Sequence, residues 1–267
     1  MTRTLLLRIA SALVLAPAAI AAAWAGGWAF AILVAVFAVG MAWEWSRLCS
    51  RGGPIERRGA AIILTIAAAT GAAAAGAFVP AMVALAAGTA VVVAVQQRTA
   101  APWLPATGTA YIGLAMIAVL VLRGPAAAAP WPVFWLFAVI WSTDIAAYAA
   151  GRTFGGPRLA PALSPRKTWS GLIGGAGAAA IAGGLVAWLL GSPSPGLAAA
   201  LGGALAVVSQ AGDLAESAAK RYFGVKDASG LIPGHGGMLD RLDGFMAAVL
   251  ALVALELLVG EDVLGWQ

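Results

Sequence analysis

The sequence is poor in the residues that a soluble protein exposes to water. Only 10% of its 267 residues are charged, and it contains a single histidine and a single cysteine. One cysteine, Cys49, excludes an intramolecular disulfide and a thiolate metal cluster, and we interpret it as a helix-end residue without chemistry. Hydrophobic residues make up 62% of the chain, and the mean hydropathy is +0.92. Since soluble domains are about half apolar, this composition excludes that class and predicts a polytopic membrane protein.

Apolar segments long enough to cross a bilayer follow one another along the whole chain. They predict an all-α fold: a polytopic integral membrane helical bundle of about nine transmembrane helices, forming a single domain over 1–267. The expected parts are N-terminal spans in 1–130, catalytic spans and cytoplasmic loops in 131–246, and a last span in 244–260. The expected spans are 9–25, 28–46, 60–77, 79–96, 105–122, 131–150, 171–190, 197–213 and 244–259. For the eighth, a helix that continues as far as Arg221 is the alternative.

The first apolar run follows two arginines, Arg3 and Arg8, and ends in small residues, as a secretory signal peptide does. The second run begins almost at once, at Trp28. We therefore expect an uncleaved helical hairpin at the start of the chain, with cleavage within 21–25 as the alternative.

Basic residues are distributed unevenly between the predicted loops. With the N-terminus in the cytoplasm, fifteen of the sixteen lysines and arginines lie on the cytoplasmic side, and Arg123 alone lies outside. This asymmetry explains the net charge of +5 without a nucleic-acid partner, and we expect none. It also places the two richest polar loops, 151–170 and 220–243, on the same cytoplasmic face.

Charge is concentrated between the last two predicted spans. Nine of the 27 charged residues fall in 211–245, together with the only histidine. Asp213 lies near the end of the eighth span, and Asp240 lies just before the ninth. Two carboxylates converging from different helix ends suit a Mg²⁺ ion that also binds phosphate oxygens, so we expect both to ligate one such ion. The alternative is a set of salt bridges at the membrane boundary.

Three further acids lie inside predicted spans. Asp144, in the sixth span, needs a partner there, which would be a metal, a base or a proton path. Glu44 and Glu256 are interpreted as helix-packing residues, and we assign them no chemistry.

Two loops carry the pattern of an anion site. Glycines surround His235, and such a loop exposes backbone N–H groups to a phosphate, although no Walker motif is present. The 151–170 loop holds four bases and no acid, which suits a polyphosphate or an anionic lipid headgroup. The rigid grouping from Ser164 to Thr168, which includes Lys167, favours binding there. The alternative is that these bases only signal the topology.

The same stretches closely resemble the phosphatidate cytidylyltransferase (CDP-diglyceride synthase) family. That family's pattern is S-x-x-K-R-x-x-x-x-K-D followed, after a short spacer, by P-x-H-G-G-x-x-D-R-x-D. The matching residues here are Ser217, Lys220, Arg221, Lys226, Asp227, Pro233, His235, Gly236, Gly237, Asp240, Arg241 and Asp243. The resemblance extends from about Asp144 to Phe245. One departure is Ser170, where the family often has a glutamate, so no role of that glutamate carries over.

The resemblance implies a membrane enzyme that makes CDP-diacylglycerol and pyrophosphate from CTP and phosphatidic acid with Mg²⁺ or another hard divalent cation. It implies metal ligation by Asp213 and Asp240, with Asp144 nearby, and it adds His235 and Lys226 to the catalytic residues. The residues expected to bind substrate are Ser164, Lys167, Ser217, Lys220, Arg221, Gly236, Gly237 and Arg241. The expected location is the bacterial cytoplasmic membrane, with the active site facing the cytoplasm. The oligomeric state stays open, a homodimer included.

Other function classes fit the residues less well. An ion-coupled transporter could use acids in the sixth and eighth spans, but it has little need of a long loop of mixed charge and glycines. Another CTP-using lipid transferase or a lipid kinase is the alternative among enzymes. A transferase that consumes CDP-lipid would show D-G-x-x-A-R with a spaced D-x-x-x-D, and this sequence has neither.

Overall fold

A computed structural model describes residues 3–50, 55–96, 101, 103–234, 236–260 and 262–266. These residues form nine α-helices and a two-stranded antiparallel sheet. The helices are α1 (Arg3–Ala25), α2 (Gly27–Cys49), α3 (Arg57–Ala74), α4 (Phe78–Gln96), α5 (Trp103–Arg123), α6 (Trp131–Phe154), α7 (Trp169–Leu189), α8 (Pro195–Tyr222) and α9 (Leu239–Val259). The strands are β1 (Arg158–Ala160) and β2 (Ser164–Thr168).

Seven of the helices in the described residues are long and apolar enough to cross a membrane. The two others are α1, whose apolar part is the shorter segment Ala10–Ala25, and α3. The prediction of an all-α, polytopic membrane fold is confirmed. The nine expected segments are all helical, and seven of them meet the length and hydropathy of a span.

Helix α9 extends further into the polar segment than expected. It begins at Leu239 rather than at Gly244, whereas α8 ends at Tyr222, one residue beyond the longer bound expected for it. Asp240 and Asp243 are therefore in the first turns of α9 and not in the loop before it. Hydropathy misplaced this boundary because the first turn of the helix is polar. An acid is nevertheless favourable there, since the helix N-terminus carries partial positive charge.

The basic loop between α6 and α7 contains a β-hairpin that hydropathy did not reveal. Arg158 pairs with Thr168 and Ala160 pairs with Ser164. Both strands are short, and prolines lie beside β1 and within β2, which hides them from pattern analysis. Pro165 is tolerated within β2 because a strand of a two-stranded sheet has an open edge. The Thr168 hydroxyl accepts a hydrogen bond from the Gly171 amide at 3.1 Å and caps α7. Strand β2 thus leads directly into a membrane helix.

The described residues fall into two compact units, each built from discontinuous segments. The first unit comprises Met1–Val121 and Ala219–Leu242, and the second comprises Leu122–Ala218 and Asp243–Gln267. In the first unit, consecutive helices from α1 to α4 pack against one another, and in the second unit α6 packs along α7. The predicted single domain, 1–267, stays a prediction.

Glycines bring the helices of the second unit close together. A methyl group added at Gly202 of α8 would lie 2.7 Å from the carbonyl oxygen of Ala179 of α7. One added at Gly183 would lie 3.0 Å from the carbonyl oxygen of Ala198. Contacts this short exclude any larger residue without a shift of backbone. Small residues therefore set the helix packing, as is common where lipid removes the hydrophobic driving force between helices.

Arg123, the one base expected on the non-cytoplasmic side, is hydrogen-bonded to the loop that follows it. Its side chain is buried, and Nη1 donates hydrogen bonds of 3.1 Å to the carbonyl oxygens of Pro125 and Ala128. The arginine thereby holds the connection that follows α5. A structural need explains why this position is basic.

Candidate active site

The hairpin places Lys167 against α8 in the second unit. Its Nζ lies 2.5 Å from Oδ2 of Asp213 and donates to Oε1 of Gln210 at 2.7 Å. Gln210 and Asp213 share a helix face because they are three residues apart. The Lys167 and Asp213 side chains are 16% and 34% exposed. A predicted substrate-binding base and a predicted metal ligand are thus an accessible ion pair in this structure.

Two further groups lie beside Asp213. The Ser217 hydroxyl, one turn further along α8, lies 3.4 Å from Oδ1 of Asp213, at the long end of hydrogen bonding. A methyl group at Gly212 would lie 2.5 Å from Cβ of Ala247 and 2.8 Å from the carbonyl oxygen of Asp243. Glycine before the aspartate therefore lets α9 approach α8 beside the acid.

A second lysine–aspartate pair lies in the first unit. Nζ of Lys220 is 2.5 Å from Oδ1 of Asp240, and both side chains are 10% exposed. The other carboxylate oxygen accepts hydrogen bonds from the amides of Gly237 and Ala228, at 3.1 and 3.2 Å. A buried ion pair is costly unless its remaining hydrogen-bonding groups are satisfied. Here the two amides supply that support.

Glu44 of α2 was interpreted from the sequence as a packing residue, and the structure gives it a different role. It is fully buried, and its carboxylate accepts hydrogen bonds from the amides of Met238 and Leu239 at 2.9 and 2.8 Å. The Ser229 hydroxyl donates to the same carboxylate. An acid from the N-terminal half of the chain therefore binds the amides at the start of α9.

The glycine segment before α9 forms a tight backbone turn. Ile232 and Gly236 exchange hydrogen bonds of 2.8 and 3.0 Å, and Gly234 and Gly236 have φ angles of 78° and 92°, which favour glycine. The amides of 236–239 all donate within the chain, to Ile232 or to the carboxylates of Asp240 and Glu44. The expected contacts of Gly236 and Gly237 with phosphate stay predictions, and His235 lies outside the described residues.

Gly237 is confined between two carboxylates. A methyl group at this position would lie 2.9 Å from Oδ2 of Asp240 and 3.0 Å from Oε1 of Glu44. Both contacts are tighter than a side chain accepts without displacing an acid. The second glycine of the H-G-G motif is therefore required because a larger side chain would not fit, and its amide donates to Asp240.

Most of the other predicted site residues are exposed in this structure. Lys226 and Arg241 are exposed, and Ser164 is half-buried at the start of β2. Nη1 of Arg221, also exposed, donates to the Val225 carbonyl at 3.0 Å. Asp144 lies on an exposed face of α6. Their expected roles in binding and catalysis remain predictions.

Ser170, the position where the sequence departs from the family pattern, has a local structural role. Its hydroxyl donates to the carbonyl oxygen of Gly155 and lies 3.0 Å from the hydroxyl of Thr168. The side chain therefore ties the end of α6 to the start of α7. A serine suffices for this contact.

A divalent cation such as Mg²⁺ needs hard oxygen ligands, which carboxylates supply. Among the described residues, no group of three or more histidines, cysteines, aspartates or glutamates is arranged to hold a metal. Mg²⁺, however, usually takes only one or two carboxylates and completes its shell with water and substrate phosphate. Asp213 and Asp240 offer hard anionic oxygens of the right kind. The residues fit such an ion by the chemistry of their donors.

Comparison with known proteins then identifies the family. Residues 6–258 match the model of the cytidylyltransferase family, which is nearly the whole chain. The chain belongs to that family. The phosphatidate cytidylyltransferase of Brucella suis is 40% identical over 95% of this chain and 94% of its own length. That of Brucella abortus is 40% identical over 97% and 96%, and that of Pseudomonas aeruginosa is 43% identical over 44% of each chain.

The family assignment confirms the resemblance drawn from the motif residues, and it extends that resemblance into the N-terminal half. The sequence pattern covered only about Asp144 to Phe245, whereas the family match begins at residue 6. Helix α2, which carries Glu44, therefore belongs to the cytidylyltransferase fold itself. With seven helices able to cross a bilayer, this cytidylyltransferase is an integral membrane protein.

Proposed function

We propose that this chain transfers the cytidylyl group of CTP to phosphatidic acid, giving CDP-diacylglycerol and pyrophosphate. The observation that carries the proposal is the pairing of Lys167 with Asp213 and of Lys220 with Asp240. Each pair lies at the polar end of a membrane helix and offers a base for the phosphate groups of such substrates. The similarity to phosphatidate cytidylyltransferases over nearly the whole chain supports it.

The reaction requires charge neutralisation more than covalent chemistry. An oxygen of the lipid phosphate attacks the α-phosphorus of CTP, and a new P–O bond forms. The bond from that phosphorus to the bridging oxygen breaks, and pyrophosphate leaves with the electron pair. The nucleophile is already an anion, so no enzyme-bound intermediate is needed. Rate then depends on positioning two polyanions and offsetting the negative charge between them.

The two lysines are suited to that task. Each ammonium now neutralises an aspartate, and each has three N–H donors, so it can also bind a phosphate oxygen without losing its partner. Lys167 is held by the hairpin, and Lys220 is held by the last turn of α8. We assign them to phosphate binding. Arg221, Lys226 and Arg241, which are exposed, are assigned to the same anionic substrates.

Asp213 and Asp240 are proposed as ligands of Mg²⁺ or another hard divalent cation. When bound, such an ion would polarise phosphate oxygens and stabilise the charge of the departing pyrophosphate. The protein contributes two carboxylates whose positions are fixed by hydrogen bonds from Ser217 in one case and from backbone amides in the other. Asp144 is kept as a third acid of the proposed metal set.

Lys167→Ala is expected to raise the KM for CTP or phosphatidic acid about 10- to 100-fold, because a charge-assisted hydrogen bond to phosphate is lost. Steady-state kinetics on purified protein measure this effect, and size-exclusion chromatography confirms the fold. The control is Arg57→Ala, since Arg57 is an exposed base at the start of α3, outside the 151–170 loop. An unchanged KM in folded Lys167→Ala would contradict a binding role, and the bases of this loop would then serve only to set the membrane topology.

We further propose that the protein resides in the bacterial cytoplasmic membrane with the site facing the cytoplasm, where CTP is available. The distribution of bases supports this orientation. In a Cys49→Ser background, Ala162→Cys and Gly230→Cys should react with an impermeant thiol reagent only after cells are permeabilised. Ala127→Cys should react in intact cells. All three positions are exposed. Labelling of position 230 from outside would contradict the proposed orientation.

The proposed activity is tested with purified protein in detergent–phospholipid micelles. CTP-dependent conversion of phosphatidic acid is followed by chromatography of the lipid product, with ATP, GTP and UTP as alternative nucleotides. Diacylglycerol and a polyprenol serve as alternative lipids, since these are the acceptors of a lipid kinase. Product only from CTP and phosphatidic acid supports the proposal; product from an alcohol acceptor favours the kinase.

A further inference from the structure

The carboxylate of Glu44 is an unusual group to find fully buried in a membrane helix. Isolated charges in such a place are expensive, and they persist where partners compensate them. Each of its three partners is a hydrogen-bond donor: the amides of Met238 and Leu239 and the hydroxyl of Ser229. A carboxylate is an acceptor at both oxygens, so it matches this set. The start of α9 adds a favourable dipole.

Glu44 and Asp240 accept hydrogen bonds from consecutive residues of the same segment. Asp240 receives hydrogen bonds from the amides of Ala228 and Gly237. Glu44 receives them from Ser229, which follows Ala228, and from Met238, which follows Gly237. The loop 229–237 is therefore closed at its base by two carboxylates side by side. Displacing one of them changes the position of the backbone that holds the other.

Helix α2 packs closely against this segment, and a glycine allows the approach. A methyl group at Gly40, one turn before Glu44, would collide with Sδ of Met238. The Trp45 ring packs edge-on against Phe223, with ring centroids 5.9 Å apart. Both contacts lie within the first unit and bracket Glu44 along the helix. The glutamate thus occupies a fixed place on a helix that packs closely on the loop.

We propose that Glu44 is a positioning residue for the reaction, which binds Ser229, Met238 and Leu239 so that Asp240 and Lys220 are presented in working geometry. The inference rests on the proposed function, because it assigns Asp240 and Lys220 to that reaction. Glu44 contacts no substrate in this account. It acts through the backbone of 228–239, and this is how the N-terminal half of the chain contributes to a site whose motif residues lie 170 residues or more further on.

Glu44→Gln tests the inference because it preserves shape and removes one acceptor. Oε1 serves two donors and Oε2 serves one, so the amide must turn an NH₂ group toward at least one N–H or O–H donor. We expect kcat to fall about 10- to 100-fold, as for other residues that orient a ligating side chain, with a smaller change in KM. Amides in 228–239 should exchange hydrogen at least about tenfold faster. Glu44→Asp should recover part of both.

Glu256→Gln is the matched control, since it removes a span carboxyl of α9 that lies outside the 228–239 segment. It should leave turnover and exchange in 228–239 unchanged. If Glu44→Gln does not accumulate, Ser229→Ala, which removes a single donor, should show smaller changes in the same direction. If the amides of 228–239 exchange hydrogen in Glu44→Gln at the wild-type rate, the inference is overturned, whatever the turnover of the variant. The same holds for Ser229→Ala when that variant replaces Glu44→Gln. The inference is also overturned if Glu44→Asp recovers neither turnover nor slow exchange in 228–239 relative to Glu44→Gln.

Failure of the proposed function would be distinguished from failure of the inference. Hydrogen exchange in 228–239 needs no substrate, so it reports on the positioning by Glu44 even if the wild-type protein makes no CDP-diacylglycerol. A wild-type protein without that activity refutes the function and, with it, the catalytic part of the inference. An active wild-type protein whose 228–239 segment is indifferent to Glu44 refutes the inference alone.

Discussion

Asp240→Asn is expected to lower turnover by about two to three orders of magnitude, which is the loss seen when one preorganised electrostatic group is removed from an active site. The amide keeps the shape of the side chain but loses its charge. It also places an NH₂ group toward either Lys220 or the amides of Ala228 and Gly237, all of which are donors. Steady-state kinetics in reconstituted membranes measure the effect.

The same substitution should lower stability. The Lys220–Asp240 pair is only 10% exposed on each side, and removing one partner of a buried pair costs about 3–5 kcal/mol. Thermal unfolding of the detergent-solubilised protein should therefore show a lower midpoint. Glu56→Gln is the control, because Glu56 is exposed in the same unit and makes no side-chain cap. Near-normal turnover in Asp240→Asn would assign the pair to structure alone.

Asp213→Asn is expected to lose turnover to a similar extent with little loss of stability. Its partner Lys167 and its own side chain are 16% and 34% exposed, and solvent-exposed ion pairs contribute about 1 kcal/mol or less. The two aspartates should therefore differ in their unfolding midpoints and agree in their effect on rate. Activity should also vanish with a chelator and return with Mg²⁺ or Mn²⁺.

The double variant tests the sequence-based prediction that both aspartates serve one ion. Residues that act as a unit are not additive, so Asp213→Asn combined with Asp240→Asn should be scarcely slower than either single variant. Two losses that multiply independently would contradict a shared ion. Salt bridging to Lys167 and Lys220 would then be the better account of the two acids.

What the sequence predicted well was decided by local patterns. Hydropathy located the membrane helices because each span must satisfy its own backbone and present apolar side chains to lipid. The motif from Ser217 to Asp243 identified the family because its spacing is specific to that family, and the site residues it implies stay predictions. Lys167 was predicted to bind substrate because a loop with four bases and no acid is unusual beside a membrane, and the structure places this lysine beside Asp213.

What the sequence did not predict depends on contacts between distant segments. Gln210 could have been noticed as a polar residue one turn before Asp213 in an apolar helix. Glu44 gave the same kind of signal, a charge inside a span, but its partners are 185 residues or more away, and nothing local indicates them. The hairpin was missed because its strands are three and five residues long. Short strands carry too little alternation to be recognised.

The most direct test of the central claim is to follow which phosphorus of CTP enters the lipid. Purified protein is incubated with phosphatidic acid and CTP labelled at either the α- or the γ-phosphorus, and the lipid product is separated and counted. We predict that the α-label appears in the lipid and that the γ-label appears only in pyrophosphate. Transfer of the γ-label to lipid, or no lipid product with either label, would contradict a cytidylyltransferase mechanism for this chain.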